Sequence, residues 1–189
     1  MSKVIQLFTQ DEISNIDIDQ LLLFKNKYIN FVKVNPIQFP KSRCLIDQIK
    51  FIKRKNIDCP LTIGVYSNIT ILEAVNRIAS DLVIINGLIQ FVEDNSELVN
   101  AKFTLRLGTT HQPNQGDFTI FIDGKESEGE AFNVAPTFLK VKLRNTLNKW
   151  KNDKGKNKLH YIFVNEEAFV GNNFKELDHR VYKVKNWDK

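Results

Sequence analysis

From Asp11 to about Val34 the chain carries helical apolar spacing (Ile13, Ile16, Leu21, Leu22, Phe24, Tyr28, Ile29, Val32), which predicts one or two helices. Pro36 and Pro40 interrupt that pattern. Lys41 to Lys55 is again helix-like and basic, and Leu61 to Tyr66 is a short β-type run. Thr70-Ile-Leu-Glu73 has the form of a capping box, opening a long helix through Val75, Ile78, Ala79 and Leu82 toward Val92. Asn86-Gly87 inside that stretch is a rival hairpin signal. The helix is retained because apolar positions continue at helical spacing through Ile85 and Ile89.

Beyond residue 101 the period changes to that of strands. Lys102–Leu107, Asp117–Asp123 and Glu128–Val134 follow in quick succession, the last two joined by a short turn at Gly124–Ser127. Pro136 suits a helix start, and Leu139, Leu143, Leu147 and Trp150 form one apolar stripe, as expected of a helix covering a sheet. A basic loop at Lys154–Lys158 precedes Leu159–Val164, which reads as a buried strand, and Arg180–Val184 is a last short strand. The expected fold is α/β (α+β), a mixed central sheet flanked by helices. Residues 1–66 are expected to form a helical extension packed on a core of residues 67–189, the whole making one compact unit.

Composition narrows this only slightly. A chain of 189 residues with 42% hydrophobic residues can bury a core, while 8 Gly and 5 Pro exclude collagen-like and low-complexity readings. The longest apolar run, Leu82 to Ile85 resuming at Leu88, is far short of the roughly 20 residues that span a bilayer, so no membrane association is expected. The start at Met1 lacks the pattern of a secretory signal, which leaves the cytoplasm as the expected compartment. Cys44 and Cys59 have no metal-ligand spacing. The net charge of +5 permits a polyanionic partner. No Gly-rich phosphate loop and no Gly-x-Ser-x-Gly elbow occurs, which argues against nucleotide hydrolases and α/β-hydrolases.

The chemistry concentrates on Asp117, at the head of one strand, and Glu130, within the next. If these strands pair, both carboxylates project near one end of the sheet, where they repel unless a cation lies between them. A hard divalent ion resolves that conflict and is able to activate a phosphoryl group or a water.

Gln115-Gly-Asp117 on one strand and Gly129-Glu130-Ala-Phe132 on the next, followed by a helix and a buried strand, resembles the core of the PD-(D/E)xK nuclease superfamily, the restriction-endonuclease-like fold. The resemblance spans roughly residues 67 to 165. It implies Asp117, Glu130 and the backbone carbonyl of Ala131 as ligands of Mg²⁺ (or Mn²⁺), and a phosphodiesterase or endonuclease acting on DNA, of the restriction or defence kind. Phe132 stands where the family usually has lysine. Members of the superfamily tolerate migration of that lysine, so another cation would have to serve. Lys140, nearest the start of the following helix, is favoured as the third catalytic residue; Lys102 and Arg106 on the preceding strand are alternatives.

Eight of the residues from Lys140 to Lys158 are Lys or Arg and only Asp153 is acidic, which makes Lys140, Arg144, Lys151, Lys154 and Lys156 the expected nucleic-acid contacts. DNA is expected before RNA, and duplex cleavage would call for a homodimer, for which the N-terminal helices are available. His111 lies in a polar loop that would overhang the site. The other reading is a catalytically inactive nuclease-like fold that binds nucleic acid or protein, with Phe132 as the mark of the loss.

Overall fold

The computed structural model describes residues 5–6, 12–37, 41–42, 44–54, 62–108, 116–151, 159–174, 177–185 and 188. In chain order the elements are β1 (Ile5–Gln6), β2 (Glu12–Ile16), α1 (Ile18–Val34), α2 (Leu45–Lys53), β3 (Thr62–Ile63), β4 (Tyr66–Ser67), α3 (Ile71–Asp94), β5 (Lys102–Arg106), β6 (Phe118–Ile122), β7 (Lys125–Phe132), α4 (Pro136–Lys151), β8 (Leu159–Asn165) and β9 (Val181–Val184). Short 3₁₀ turns follow α3 and β8. The central sheet has six strands in the order β2-β5-β6-β7-β8-β9; it is antiparallel from β2 to β7 and parallel from β7 to β9. A mixed α/β architecture with helices on both faces of the sheet is therefore the fold. A second, three-stranded sheet runs β1-β4-β3.

The N-terminal region is not a purely helical extension, because Glu12–Ile16 forms the edge strand of the main sheet. Its helical spacing has a specific cause. The β2/β5 register shifts between Ile13 and Ile16, with Asn15 at φ 58°, and this bulge turns both isoleucines toward the same core. Strands normally alternate, but one inserted residue converts a spacing of two into a spacing of three. The helix proper starts at Ile18 behind a capping box in which Asp17 accepts the Gln20 N–H at 2.9 Å and the Gln20 side chain accepts the Asp17 N–H at 3.0 Å.

α3 runs unbroken through Asn86-Gly87. Thr70 caps it by accepting the Glu73 N–H at 3.1 Å. Gly87 is there for close approach rather than for a turn: a Cβ at this position would come within 2.5 Å of the Phe163 ring and 3.0 Å of Val184. By length and composition α3 would cross a membrane, but it is mostly buried inside the fold, packed on β7, β8 and β9. The core on that side includes Phe103, Leu105, Phe118, Ile120 and Phe163, and Phe118 stacks on Phe163 at 4.4 Å. On the opposite face, α4 seals β7 to β9 with Leu139 and Leu143 against Phe132, Ile162, Val164 and Val181.

The hairpin joining β6 to β7 turns on Asp123 and Gly124 alone, both at positive φ, and pairing resumes at Ile122 and Lys125. The turn is thus tighter than Gly124–Ser127 and is of the two-residue kind that matches strand twist. It fixes which residues of β6 and β7 lie opposite one another, and so how Asp117 meets the segment around Glu130.

Candidate active site

A cleft of about 630 Å³ opens where the first half of α3, the ends of β5 and β7, the start of β6 and one flank of α4 come together. Asp117, Glu130, Ala131 and Phe132 all line it. Phe118 pairs with Gly129, so Asp117 extends β6 alongside the Glu130 segment, and its Oδ2 accepts the Ala131 N–H at 2.7 Å. Gly129 makes room for this arrangement: a Cβ there would fall within 2.0 Å of the Phe118 ring.

Behind Asp117 lies a network of buried and nearly buried groups. Arg106 donates from Nη1 to the Gly116 carbonyl at 3.1 Å and to Thr119 Oγ1 at 3.0 Å, and lies 3.5 Å from Glu128 Oε2. Glu128 in turn accepts the Gly116 N–H at 3.1 Å. Opposite charges within this distance and little exposed hold one another firmly when their hydrogen bonds are satisfied. The acidity of the hairpin is therefore divided in role: Glu128 braces the chain just before Asp117, whereas Glu130 faces the cleft.

The α4 flank beside the cleft carries Lys142 and Lys149, seven residues apart and so on one side of the helix. Lys149 Nζ is 2.9 Å from Glu130 Oε1. Lys142 Nζ sits 5.1 Å from the centre of the Phe132 ring and lines the cleft. An ammonium over an aromatic face is attracted by the ring's quadrupole, so Phe132 acts as a platform for a cation where the resembled motif would have one of its own.

The expected cations divide between two flanks. Lys140 points to the other side of α4, its ammonium 5.7 Å from the Phe174 ring, and neither it nor the exposed Arg144 lines the cleft. Lys102 is 3.1 Å from Asp17, away from the cleft, while Arg106 reaches it. Lys151 ends α4; Lys154, Lys156 and His111 lie outside the described residues, as does Cys59. Cys44 is exposed and free. Sequence reasoning missed Lys142 and Lys149, although their separation of seven residues, which puts them on one side of a helix, was there to be read.

The α3 wall supplies groups that no sequence pattern joined to the site. Glu73 and Arg77 pair at 2.7 Å across one helical turn, and Arg77 Nη1 donates to the Gly108 carbonyl. One turn further on, Asp81 is 2% exposed. Its Oδ2 accepts the Tyr28 hydroxyl at 2.6 Å and the Tyr66 hydroxyl, and its Oδ1 accepts the Gly108 N–H at 3.3 Å. Burial pushes the Asp81 carboxyl up to about 7, against the pull of those hydrogen bonds, and the negative charge of Asp117 adds to the rise. Burial and the same carboxylate drive both tyrosines well above their usual range.

Among the described residues no three His, Cys, Asp or Glu side chains gather closely enough to hold a metal ion. Asp117, Glu130 and the Ala131 carbonyl offer two carboxylates and one neutral oxygen, the hard donor set that suits Mg²⁺ or Mn²⁺, and Mg²⁺ commonly binds through one or two carboxylates while keeping several waters. The donor chemistry therefore fits. No family model, no curated protein and no solved structure matches this chain.

Proposed function

We propose that the protein is a divalent-metal-dependent phosphodiesterase acting on nucleic acid, DNA before RNA, on the pattern of the PD-(D/E)xK nucleases. The observation that carries this reading is the convergence in one cleft of Asp117, Glu130, Ala131 and an exposed lysine, Lys142, from three separate stretches of backbone. Asp117, Glu130 and the Ala131 carbonyl would hold Mg²⁺ or Mn²⁺. Bound there, such an ion supplies Lewis acidity at a phosphoryl oxygen and lowers the pKa of a water.

The chain's own groups do the rest. Lys142, resting on Phe132, offsets the charge that grows on the phosphate oxygens. Arg106 and Glu128 hold the backbone before Asp117, so that its carboxylate is presented without rearrangement. α4 carries five Lys or Arg residues and no acidic residue, and on its flank beside the cleft Lys142 and Lys149 are the cations that a phosphate backbone would meet. In this arrangement Lys142, rather than Lys140, takes the part of the motif lysine.

Incubation of the purified protein with plasmid and oligonucleotide substrates in Mg²⁺, Mn²⁺ or EDTA tests this. Asp117→Asn and Glu130→Gln are expected to reduce cleavage by about a hundredfold or more, and Lys142→Met by about a hundred- to a thousandfold, the range seen when one charge-stabilising donor is removed. Lys140→Met is expected to act only weakly. Cleavage indifferent to Asp117→Asn and Glu130→Gln would sink the assignment.

A second reading, a nuclease-like fold that binds without cleaving, is favoured by one observation: the Lys149 ammonium already engages Glu130. No cleavage, together with no heat of Mn²⁺ binding in calorimetry, would decide for it.

A further inference from the structure

Away from α3 the sheet presents two different faces to its surroundings. α4 covers β7 to β9, whereas β2, β5 and β6 on the same side carry polar side chains, which line a second concavity of about 320 Å³. Lys102, Thr104, Thr119, Phe121 and Glu126 belong to it. Arg106 lines both this concavity and the carboxylate cleft, so the two adjoin.

Phe121 is the anomaly. Its cross-strand neighbours are Lys102 on β5 and Glu126 on β7, and the adjacent pair on the same face is Thr104 with Thr119. Side chains alternate along a strand, so Ile120 turns into the core at 2% exposure while Phe121 stands 48% exposed on the polar face. It has no ring partner among the described residues. A phenyl ring so placed gains little from folding, yet it offers a flat apolar surface bordered by hydroxyl groups.

The charges on this face are nearly balanced. Lys102 pairs with Asp17 at 3.1 Å, and Arg106 lies 3.5 Å from Glu128. The face therefore suits bases better than phosphates, for which the one-signed flank of α4 is the better match. In a duplex the faces of the bases are stacked on one another and no ring can reach them; in an unpaired strand they are open.

Resting on the phosphodiesterase reading, we infer that the substrate is an unpaired strand of nucleic acid, which runs from the carboxylate cleft past Arg106 onto the β2-β5-β6 face and stacks a base on Phe121. The Thr104–Thr119 pair, whose hydroxyls are held by the Asn15 N–H and by Arg106, lies beside the stacked base, and a phosphodiester further along the strand reaches Asp117 and Glu130, four residues from Phe121 and from its cross-strand partner Glu126.

Fluorescence anisotropy of labelled oligonucleotides in EDTA tests this without any metal or turnover. The probes are mixed-sequence single-stranded DNA, single-stranded RNA of the same sequence, and the blunt duplex. The intact protein is expected to bind one or both single strands more tightly than the duplex, and the better strand names the sugar. Phe121→Ala is expected to weaken single-strand binding about five- to a hundredfold, the effect of losing one stacked base. Phe121→Trp should preserve it, and Phe121→Leu, which keeps apolar area without a flat ring, should not. Thermal melts verify that each variant is folded. Equal or better binding of the duplex, no binding of any probe, or single-strand affinity unchanged within twofold in Phe121→Ala would overturn the inference. Phe121-dependent binding without Asp117-dependent cleavage would overturn the phosphodiesterase reading alone, and Asp117-dependent cleavage with Phe121 immaterial would overturn the strand path alone.

Discussion

The cleft has carboxylates on both of its sides, and they are built in opposite ways. On the α3 side Asp81 is sealed at 2% exposure, with two tyrosine hydroxyls and a backbone N–H donating to it. On the sheet side Glu130 is part-exposed and touched by the ammonium of a lysine that is itself 55% exposed. A buried acceptor saturated with donors cannot take a new ligand without breaking hydrogen bonds that water does not replace. A part-exposed carboxylate with a mobile, solvated partner is able to exchange that partner at little cost. Proximity to the cleft therefore does not make a carboxylate functional. Asp81 ties α1, β4 and Gly108, just beyond β5, to the core helix, whereas Glu130 and Asp117 line the open cleft.

The largest expected effect separates the two sides by stability. Asp81→Ala leaves the hydroxyls of Tyr28 and Tyr66 buried without their acceptor, and at about 1–3 kcal/mol for each unsatisfied group the loss near pH 6 should be roughly 2–6 kcal/mol, read as a fall in chemical-denaturation midpoint. Glu130→Ala should stay within about 1 kcal/mol of the parent. Comparable losses in the two variants would erase the distinction.

A second effect concerns pH. The carboxyl of Asp81 is raised to about 7 in the folded protein by burial, with Asp117 facing it from the sheet and Tyr28, Tyr66 and the Gly108 N–H donating to it. In the unfolded chain it titrates near its ordinary value of 3.8. Between roughly pH 4 and pH 7 the folded state keeps a proton that the unfolded state has released, so this group's contribution to stability is full below that window and is lost as pH rises through it, by up to about 1.4 kcal/mol per pH unit. Asp178, held down to about 2 by Arg180, works in the other direction and only at lower pH. Asp81→Asn should therefore flatten the decline of stability from pH 4 to pH 7, measured by urea titrations across that range. An unchanged slope would show that Asp81 is not the group responsible.

The order of elements from α3 to β9 was legible because each is local: a capping threonine, an apolar stripe, a run of alternation. What escaped is non-local or disguised. The bulge at Asn15 gave β2 the spacing of a helix; the helix through Gly87 was read correctly, but nothing in its neighbourhood announces the Phe163 ring that requires a glycine there. Asp117 and Glu130 were visible as a pair since a hairpin brings them together, but choosing Lys140 over Lys142 required knowing which flank of α4 turns toward β7. Asp81, Tyr28 and Tyr66 come from three elements of different character, and no spacing rule joins them.

The smallest effect bears most directly on whether Glu130 is an exchangeable ligand or a second clamp. Lys149→Met removes the ammonium 2.9 Å from Glu130 Oε1 while keeping the length of the stem along the helix. Because the pair is open to solvent, stability should change by no more than about 1 kcal/mol. With its competitor gone, Glu130 should bind Mn²⁺ about two- to fivefold more tightly in calorimetry, the factor that corresponds to the upper range of an exposed ion pair, and the gain should shrink as salt screens the lysine of the parent protein. A loss of several kcal/mol with no change in Mn²⁺ affinity would mean that Lys149 and Glu130 form a structural brace like Asp81 and its tyrosines, and that the two sides of the cleft do the same work.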